Sequence, residues 1–194
     1  MVHASAASAK TALRLAMRTQ RKALAIQAPD AAWRAADQAP KDLLSPGVVA
    51  GYRAQGGEID PQPLMRRLAE AGGRLVMPRA ALRDAPLDFH AFEDGDRLEP
   101  DAYDIPSPSP SAPMLSPSLI IVPLLAFDRR GGRMGQGAGC YDRTIEVLRA
   151  RGRVFVLGLA YAGQEVAQIP DEPHDQKLDA ILTERGYIAA SKDF

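Results

Sequence analysis

Apolar residues recur at helical spacing from Ala6 to about Gln27, a stretch without Pro or Gly. Leu13, Ala16, Met17 and Leu24 define its apolar side and the basic residues the other. A second helix is expected from Asp30, as N-cap, through Trp33 toward Pro40, before Pro46-Gly47 breaks the chain. Val48–Tyr52 reads as a short buried strand, and Pro61–Ala71 as a helix with proline near its first turn and Gly72-Gly73 past its end. Arg74–Pro78 and Leu87–Phe92 read as strands, the second only loosely alternating. Five prolines between 106 and 117 impose an extended connection, either a surface link or a loop that shapes a pocket. Ser118–Phe127 is the strongest strand. A glycine-rich loop follows, then a helix from about Tyr141 to Arg151, an apolar strand at Val154–Ala160 and a last strand at Leu178–Thr183. Fully apolar strands alternating with helices predict an α/β fold with a largely parallel open sheet.

Composition narrows this picture. A chain of 194 residues suits one domain, 1–194. Lys plus Arg equals Asp plus Glu at 24 each, which argues against broad nucleic-acid or anionic-membrane binding but not against a small anion held by a few arginines. The apolar run around Leu119–Phe127 is too short to span a bilayer. With Cys140 as the only cysteine no intramolecular disulfide can form, and a reducing, cytoplasmic setting is expected. Residues 1–29 carry Lys10, Arg14, Arg18, Arg21 and Lys22 without an acidic residue. The expectation is a basic surface helix rather than a transit peptide.

The chemistry concentrates in Gly131-Gly132-Arg133-Met134-Gly135-Gln136-Gly137-Ala138-Gly139-Cys140-Tyr141-Asp142. Glycines between a strand and a helix let backbone N–H groups converge on an anion, and the helix adds its positive end. Arg133 can add a bidentate phosphate contact. The run lacks the Lys-Ser/Thr ending of a P-loop and the spacing of a dinucleotide fingerprint. A phosphate cradle and a flexible surface turn both remain open on this ground. Asp142 is either a charge favourable to the helix dipole or a magnesium ligand. Cys140, at a helix start, is a candidate nucleophile, but His3, His90 and His174 cannot be placed beside it from sequence. His174 and Asp175 offer too few ligands at suitable spacing for zinc.

Four motifs in order resemble the 5-formyltetrahydrofolate cyclo-ligase family, also called 5,10-methenyltetrahydrofolate synthetase. They are Lys10-x-x-x-Arg14; Glu58-Ile59-Asp60 with Met77-Pro78-Arg79 downstream; Val122-Pro123-Leu124-Leu125-Ala126-Phe127-Asp128 running into Gly132–Arg143; and Ile169-Pro170-Asp171-Glu172-Pro173-His174-Asp175 before Leu178-Asp179. The resemblance implies a three-layer domain with helices on both faces. It also implies ATP- and Mg²⁺-dependent cyclisation of 5-formyltetrahydrofolate through a phosphorylated formyl group. Arg133 and Tyr141 match catalytic positions. Lys10, Arg14, Arg133, Met134, Gly135, Gln136, Gly137, Ala138, Gly139, Cys140 and Tyr141 match the ATP contacts. Gln136, Gly137, Ala138, Gly139 and Cys140, with Arg53 and Glu58, match the folate contacts, and Asp142 and Asp179 the magnesium ligands. Departures fall mainly on the substrate side. Cys140 replaces the first tyrosine of a Tyr-Tyr pair, Leu124 a common glycine, Ser107 a glutamate and Pro61 a frequent threonine. They leave room for a second expectation, a nucleotide- or folate-binding relative without this catalysis.

Overall fold

The computed structural model describes residues 6–44, 47–170 and 172–191. Pro46, Asp171 and His3 lie outside them. In chain order the elements are α1 (Ala6–Gln27), α2 (Ala31–Asp37), β1 (Val48–Ala50), α3 (Gln62–Glu70), β2 (Arg74–Arg79), β3 (Asp88–Ala91), β4 (Leu98–Pro100) and β5 (Pro106–Pro108). Then come β6 (Leu119–Pro123), β7 (Ala126–Phe127), β8 (Arg133–Met134), α4 (Cys140–Arg151), β9 (Phe155–Leu159), β10 (Ala180–Thr183) and β11 (Gly186–Ala189). Short 3₁₀ turns occupy Lys41–Leu44 and Ala162–Gln164.

Seven strands form the main sheet in the order β11-β10-β9-β6-β1-β2-β3. The inner five are parallel, and β3 and β11 close the two edges antiparallel. Alternate side chains along the central strands enter different cores. Val49, Ile121, Leu157 and Leu182 pack with Ala35, Leu64 and Leu68 of α2 and α3, whereas Ala50, Ile120, Val156 and Ile181 pack with Ile145 and Leu148 of α4. This is a three-layer α/β arrangement, and it explains why the strands read as continuous apolar runs.

Several expected boundaries shift for identifiable reasons. The strand expected over Ser118–Phe127 is two elements, because the chain leaves the sheet after Pro123 and β7 pairs instead with β8. The glycine loop therefore follows a hairpin rather than the sheet strand. The last strand is β11, which pairs with β10 through the tight turn at Gly186. The proline-rich connection contains β5, paired with β4 in a separate ribbon. The second helix stops at Asp37. Asp30 occupies its N-cap position, but its carboxylate pairs with Arg34 at 3.2 Å rather than capping backbone. The basic side of α1 does not simply face solvent: Lys10, Met17 and Arg21 share a buried stripe, while Leu15 is exposed.

Leu124, where glycine was the commoner residue, is accommodated by Gly158 on β9. A Cβ on Gly158 would stand 2.8 Å from Leu124 Cδ2. The bulk gained at one position is matched by its absence at the next.

Candidate active site

From β1 the chain proceeds to β2 on one side, and from β6 to β9 on the other. The strand order thus reverses between β1 and β6, and such a switch point opens a crevice at the carboxyl ends of the strands. A cavity of about 700 Å³ lies there. Its lining includes Tyr52 and Arg53 after β1, Pro78 of β2, Leu124 and Leu125 after β6, and Tyr103 and Ile105 from the ribbon that covers it. The proline-rich region is thus anchored beside a pocket.

The glycine loop forms one wall. Asp128 builds its base: the carboxylate accepts N–H groups from Arg130 at 2.9 Å, Gly132 at 3.0 Å and Ile169 at 2.8 Å. Burial pushes the Asp128 carboxyl upward, but these backbone donors outweigh it and hold the group below its ordinary range. The loop ends at Gly139, whose left-handed φ of 67° lets the chain turn into α4 without Cβ strain. Helix α1 pins the loop from above. Arg14 donates to Gly135 O at 3.3 Å, and Arg18 donates to the Gln136 side chain at 2.9 Å.

Two cations along this wall, Lys10 and Arg133, are matched by carboxylates. Lys10 is 6% exposed and contacts Glu172 at 2.7 Å and Asp175 at 2.6 Å. Burial opposes its charge, yet the bonds to Asp175 and Glu172 prevail and raise it above the ordinary lysine range. Asp175 is lowered in turn: burial raises it, but the Lys10 bond and the Glu172 N–H more than offset this. Arg133 grips Asp142 Oδ1 through both terminal nitrogens, at 3.0 and 2.9 Å, and donates to Gln176 O at 2.6 Å. Asp142 also accepts the Gln176 N–H at 2.9 Å, which sets it beside the Asp175–Gln176 peptide.

The opposite wall carries Glu58. Its carboxylate accepts Gln55 N–H at 3.0 Å and Arg21 Nη1–H at 3.2 Å. Burial raises the Glu58 carboxyl, and the Gln55 N–H and the Arg21 charge only partly counter it. Tyr52 and Tyr141 are both pushed up, first by burial and then by the charge of Glu58, so both hydroxyls stay neutral. Tyr52 donates to Ile59 O.

Lys10, Arg14, Arg53, Glu58, and the run from Arg133 to Asp142 all line this cavity. Asp179 does not. Its carboxylate accepts Val156 N–H at 2.9 Å and Arg149 at 3.2 Å, tying the entry to β10 onto β9. The cavity-lining carboxylates of that segment are Glu172 and Asp175, and with His174 their ligand atoms lie within 4.8 Å of one another. Hard oxygen donors of this kind suit magnesium better than zinc. Sequence reading missed Arg21, Asp175 and Tyr103. The i, i+4, i+7, i+11 spacing of Lys10, Arg14, Met17 and Arg21 along one helical stripe was the available signal for Arg21. Cys140 meets Tyr103: the thiol lies 3.4 Å from the phenol oxygen, and among the described residues no histidine is bonded to it.

Fold and cavity together define an open α/β protein with a glycine- and cation-lined wall facing a half-buried carboxylate. Residues 6–184 match the 5-formyltetrahydrofolate cyclo-ligase family, and the chain belongs to that family of ligases. The 5-formyltetrahydrofolate cyclo-ligase of Mycolicibacterium smegmatis is 32% identical over 155 residues, covering 75% of this chain and 78% of that one. The Escherichia coli K12 protein of the same name is 32% identical over 140 residues, covering 70% and 76%. The fold is shared with the 5,10-methenyltetrahydrofolate synthetase of Aquifex aeolicus (TM-score 0.78, 23% identity, 95% of this chain and 94% of that one). It is shared also with that of Mycoplasma pneumoniae (TM-score 0.70, 21% identity, 90% and 98%). Among the described residues no helix is long and apolar enough to cross a membrane.

Proposed function

We propose that this protein catalyses the ATP- and Mg²⁺-dependent closure of 5-formyltetrahydrofolate to 5,10-methenyltetrahydrofolate, with release of ADP and phosphate. The observation that carries the reading is the division of one cavity between two chemistries. Cations and a glycine loop line one side, and a half-buried carboxylate beside the neutral Tyr52 lines the other.

In this reading the nucleotide phosphates occupy the wall formed by Lys10, Arg14, Arg133 and the backbone from Gly135 to Gly139. Phosphoryl transfer depends mostly on positioning and charge neutralisation, which is what such a wall supplies. The formyl oxygen attacks the γ-phosphorus and ADP leaves. The folate N10 then attacks the activated carbon, forming the new C–N bond. The C–O bond breaks, the former formyl oxygen departs with phosphate, and the N10 proton is lost to solvent. No side-chain nucleophile is needed, so Cys140 has no covalent role. Glu58 accepts N–H donors of the folate ring, and Tyr141 stays protonated as a hydrogen-bond donor between the two halves of the site.

Asp142 and Asp175 would hold Mg²⁺, which supplies charge neutralisation at the transferred phosphoryl group. In this reading Asp175 takes the place that the resemblance gave to Asp179, because Asp175 lines the cavity and Asp179 does not. Lys10 and Arg133 are engaged by these carboxylates, Lys10 by Asp175 and Arg133 by Asp142, and would be left to the phosphates were the carboxylates to hold the metal.

Mixing the protein with 5-formyltetrahydrofolate, ATP and Mg²⁺ should raise the near-ultraviolet absorbance of the methenyl product, with ADP formed in equal amount. No rise at any condition between about pH 6 and 8 would remove the proposal.

A further inference from the structure

Arg21 lies midway along α1 and is only 2% exposed. Its guanidinium reaches both lips of the crevice. Nη1 donates to Glu58 Oε1 at 3.2 Å and to Leu124 O at 3.4 Å, and Nη2 donates to Gly56 O at 3.2 Å. Glu58 and Gly56 belong to the segment after β1, and Leu124 to the segment after β6. Its Nε is buried and, among the described residues, has no hydrogen-bond partner.

This is a poor arrangement for stability alone. A buried guanidinium is costly to desolvate, apolar side chains of similar volume often replace such pairs without loss, and an unused buried donor adds a further penalty. Arg21 also lines the cavity next to Glu58. We infer that Arg21 is a positioning residue for substrate: it fixes the Glu58 carboxylate and both lips of the crevice, so that the cavity accepts the paired N–H donors of an aminopyrimidine-type ring.

The inference rests on the folate reading of this cavity. Near Glu58 stand Arg21 from α1, Tyr52 from the segment after β1 and Tyr141 from α4; Arg53 lines the same cavity, and Asp60 acts on Tyr52. The two tyrosines remain neutral, and Asp60 is acidic. Arg21 is the cation bonded to Glu58 among the described residues, and its charge joins the Gln55 N–H in opposing the upward push of burial on that carboxyl.

The test compares wild-type protein with Arg21→Met, Arg21→Lys and Glu58→Gln. Carbon NMR of glutamate-labelled, ligand-free protein follows the Glu58 carboxyl, assigned by its loss in Glu58→Gln. Calorimetry measures 5-formyltetrahydrofolate and an ATP analogue separately. In Arg21→Met the Glu58 titration should move to higher pH. Folate binding should weaken roughly tenfold or more near neutral pH and recover partly as pH rises, with analogue binding unchanged. In the Glu58→Gln background the same substitution should weaken folate far less, since the two act as one unit. Arg21→Lys should leave Glu58 ionised yet still weaken folate, because the fork to Gly56 and Leu124 is lost. Should Arg21→Met not fold, Arg21→Lys decides: folate affinity equal to wild type at every pH overturns the inference. An unshifted Glu58 titration in folded Arg21→Met overturns it too, as does equal loss of folate and analogue. Wild-type protein that binds no folate would instead overturn the folate reading, whatever Glu58 does.

Discussion

Asp128 is a buried and Glu58 a half-buried carboxylate at the carboxyl end of the sheet, one under each wall of the cavity, and they are treated in opposite ways. Asp128 receives three backbone N–H groups and is held below its ordinary range despite burial. Glu58 receives one backbone N–H and one arginine, and burial wins, leaving it above its ordinary range. The first is a fully satisfied bracket that shapes a turn. The second has acceptor capacity left and faces the cavity. A carboxylate that the fold saturates serves the fold; one that it leaves short of donors is available to a ligand.

The comparison is most easily broken at Asp128. Replacing it with alanine strands three backbone donors, two of them at or beside buried backbone, and should cost about 3 kcal/mol or more of stability, read by thermal denaturation. A loss below about 1 kcal/mol would deny the bracket its role. Because the folded carboxyl is lowered, its contribution is complete above the unfolded value of about 4 and disappears as pH falls through the folded value. Asp128→Asn should therefore flatten the acid limb of the stability curve. Glu58 has the reverse sign. Its raised folded value favours the folded state at low pH, and that advantage is lost as pH rises through the folded value. Glu58→Gln should therefore flatten the curve on that side instead.

Next in size is the functional effect at Glu58. Glu58→Gln should weaken 5-formyltetrahydrofolate roughly ten- to a hundredfold by calorimetry, with a smaller change in melting temperature than Asp128→Ala. A variant that binds folate as well as wild type would make Glu58 a second bracket. The acidic wall gives an intermediate effect. Asp175→Ala should raise the Mg²⁺ concentration needed for half-maximal turnover about tenfold or more, whereas Asp179→Ala should lower stability and leave that concentration alone. The reversed pattern would restore Asp179 to the metal. Smallest of all, Cys140→Ser should leave turnover within about twofold of wild type. Abolished turnover would revive the thiol as a reacting group.

The same contrast shows what sequence makes legible. The glycine run, Lys10 and Arg14, and the strand–helix alternation could be read because their spacing is local. A three-layer sheet with a loop at its carboxyl edge follows from those local signals. Asp142 and Asp179 looked equivalent because both are acidic residues in matched motifs. Their difference depends on Arg149 and on the β9 backbone, which only the fold brings to Asp179. Arg21 was read as one of several basic surface residues, since nothing in its own neighbourhood announces Glu58 at 37 positions' distance. β11 and the β7–β8 hairpin were missed for a related reason: strands of two to four residues have almost no periodicity to detect. Leu124 seemed a loss of glycine, and the compensating Gly158 lies on another strand.

If nucleotide and folate lie side by side in the one cavity, they must be able to bind together. Titrating 5-formyltetrahydrofolate into protein saturated with Mg²⁺ and a non-hydrolysable ATP analogue should give one folate per chain, bound at least as tightly as without the analogue. Mutual exclusion of the two ligands would contradict the shared site.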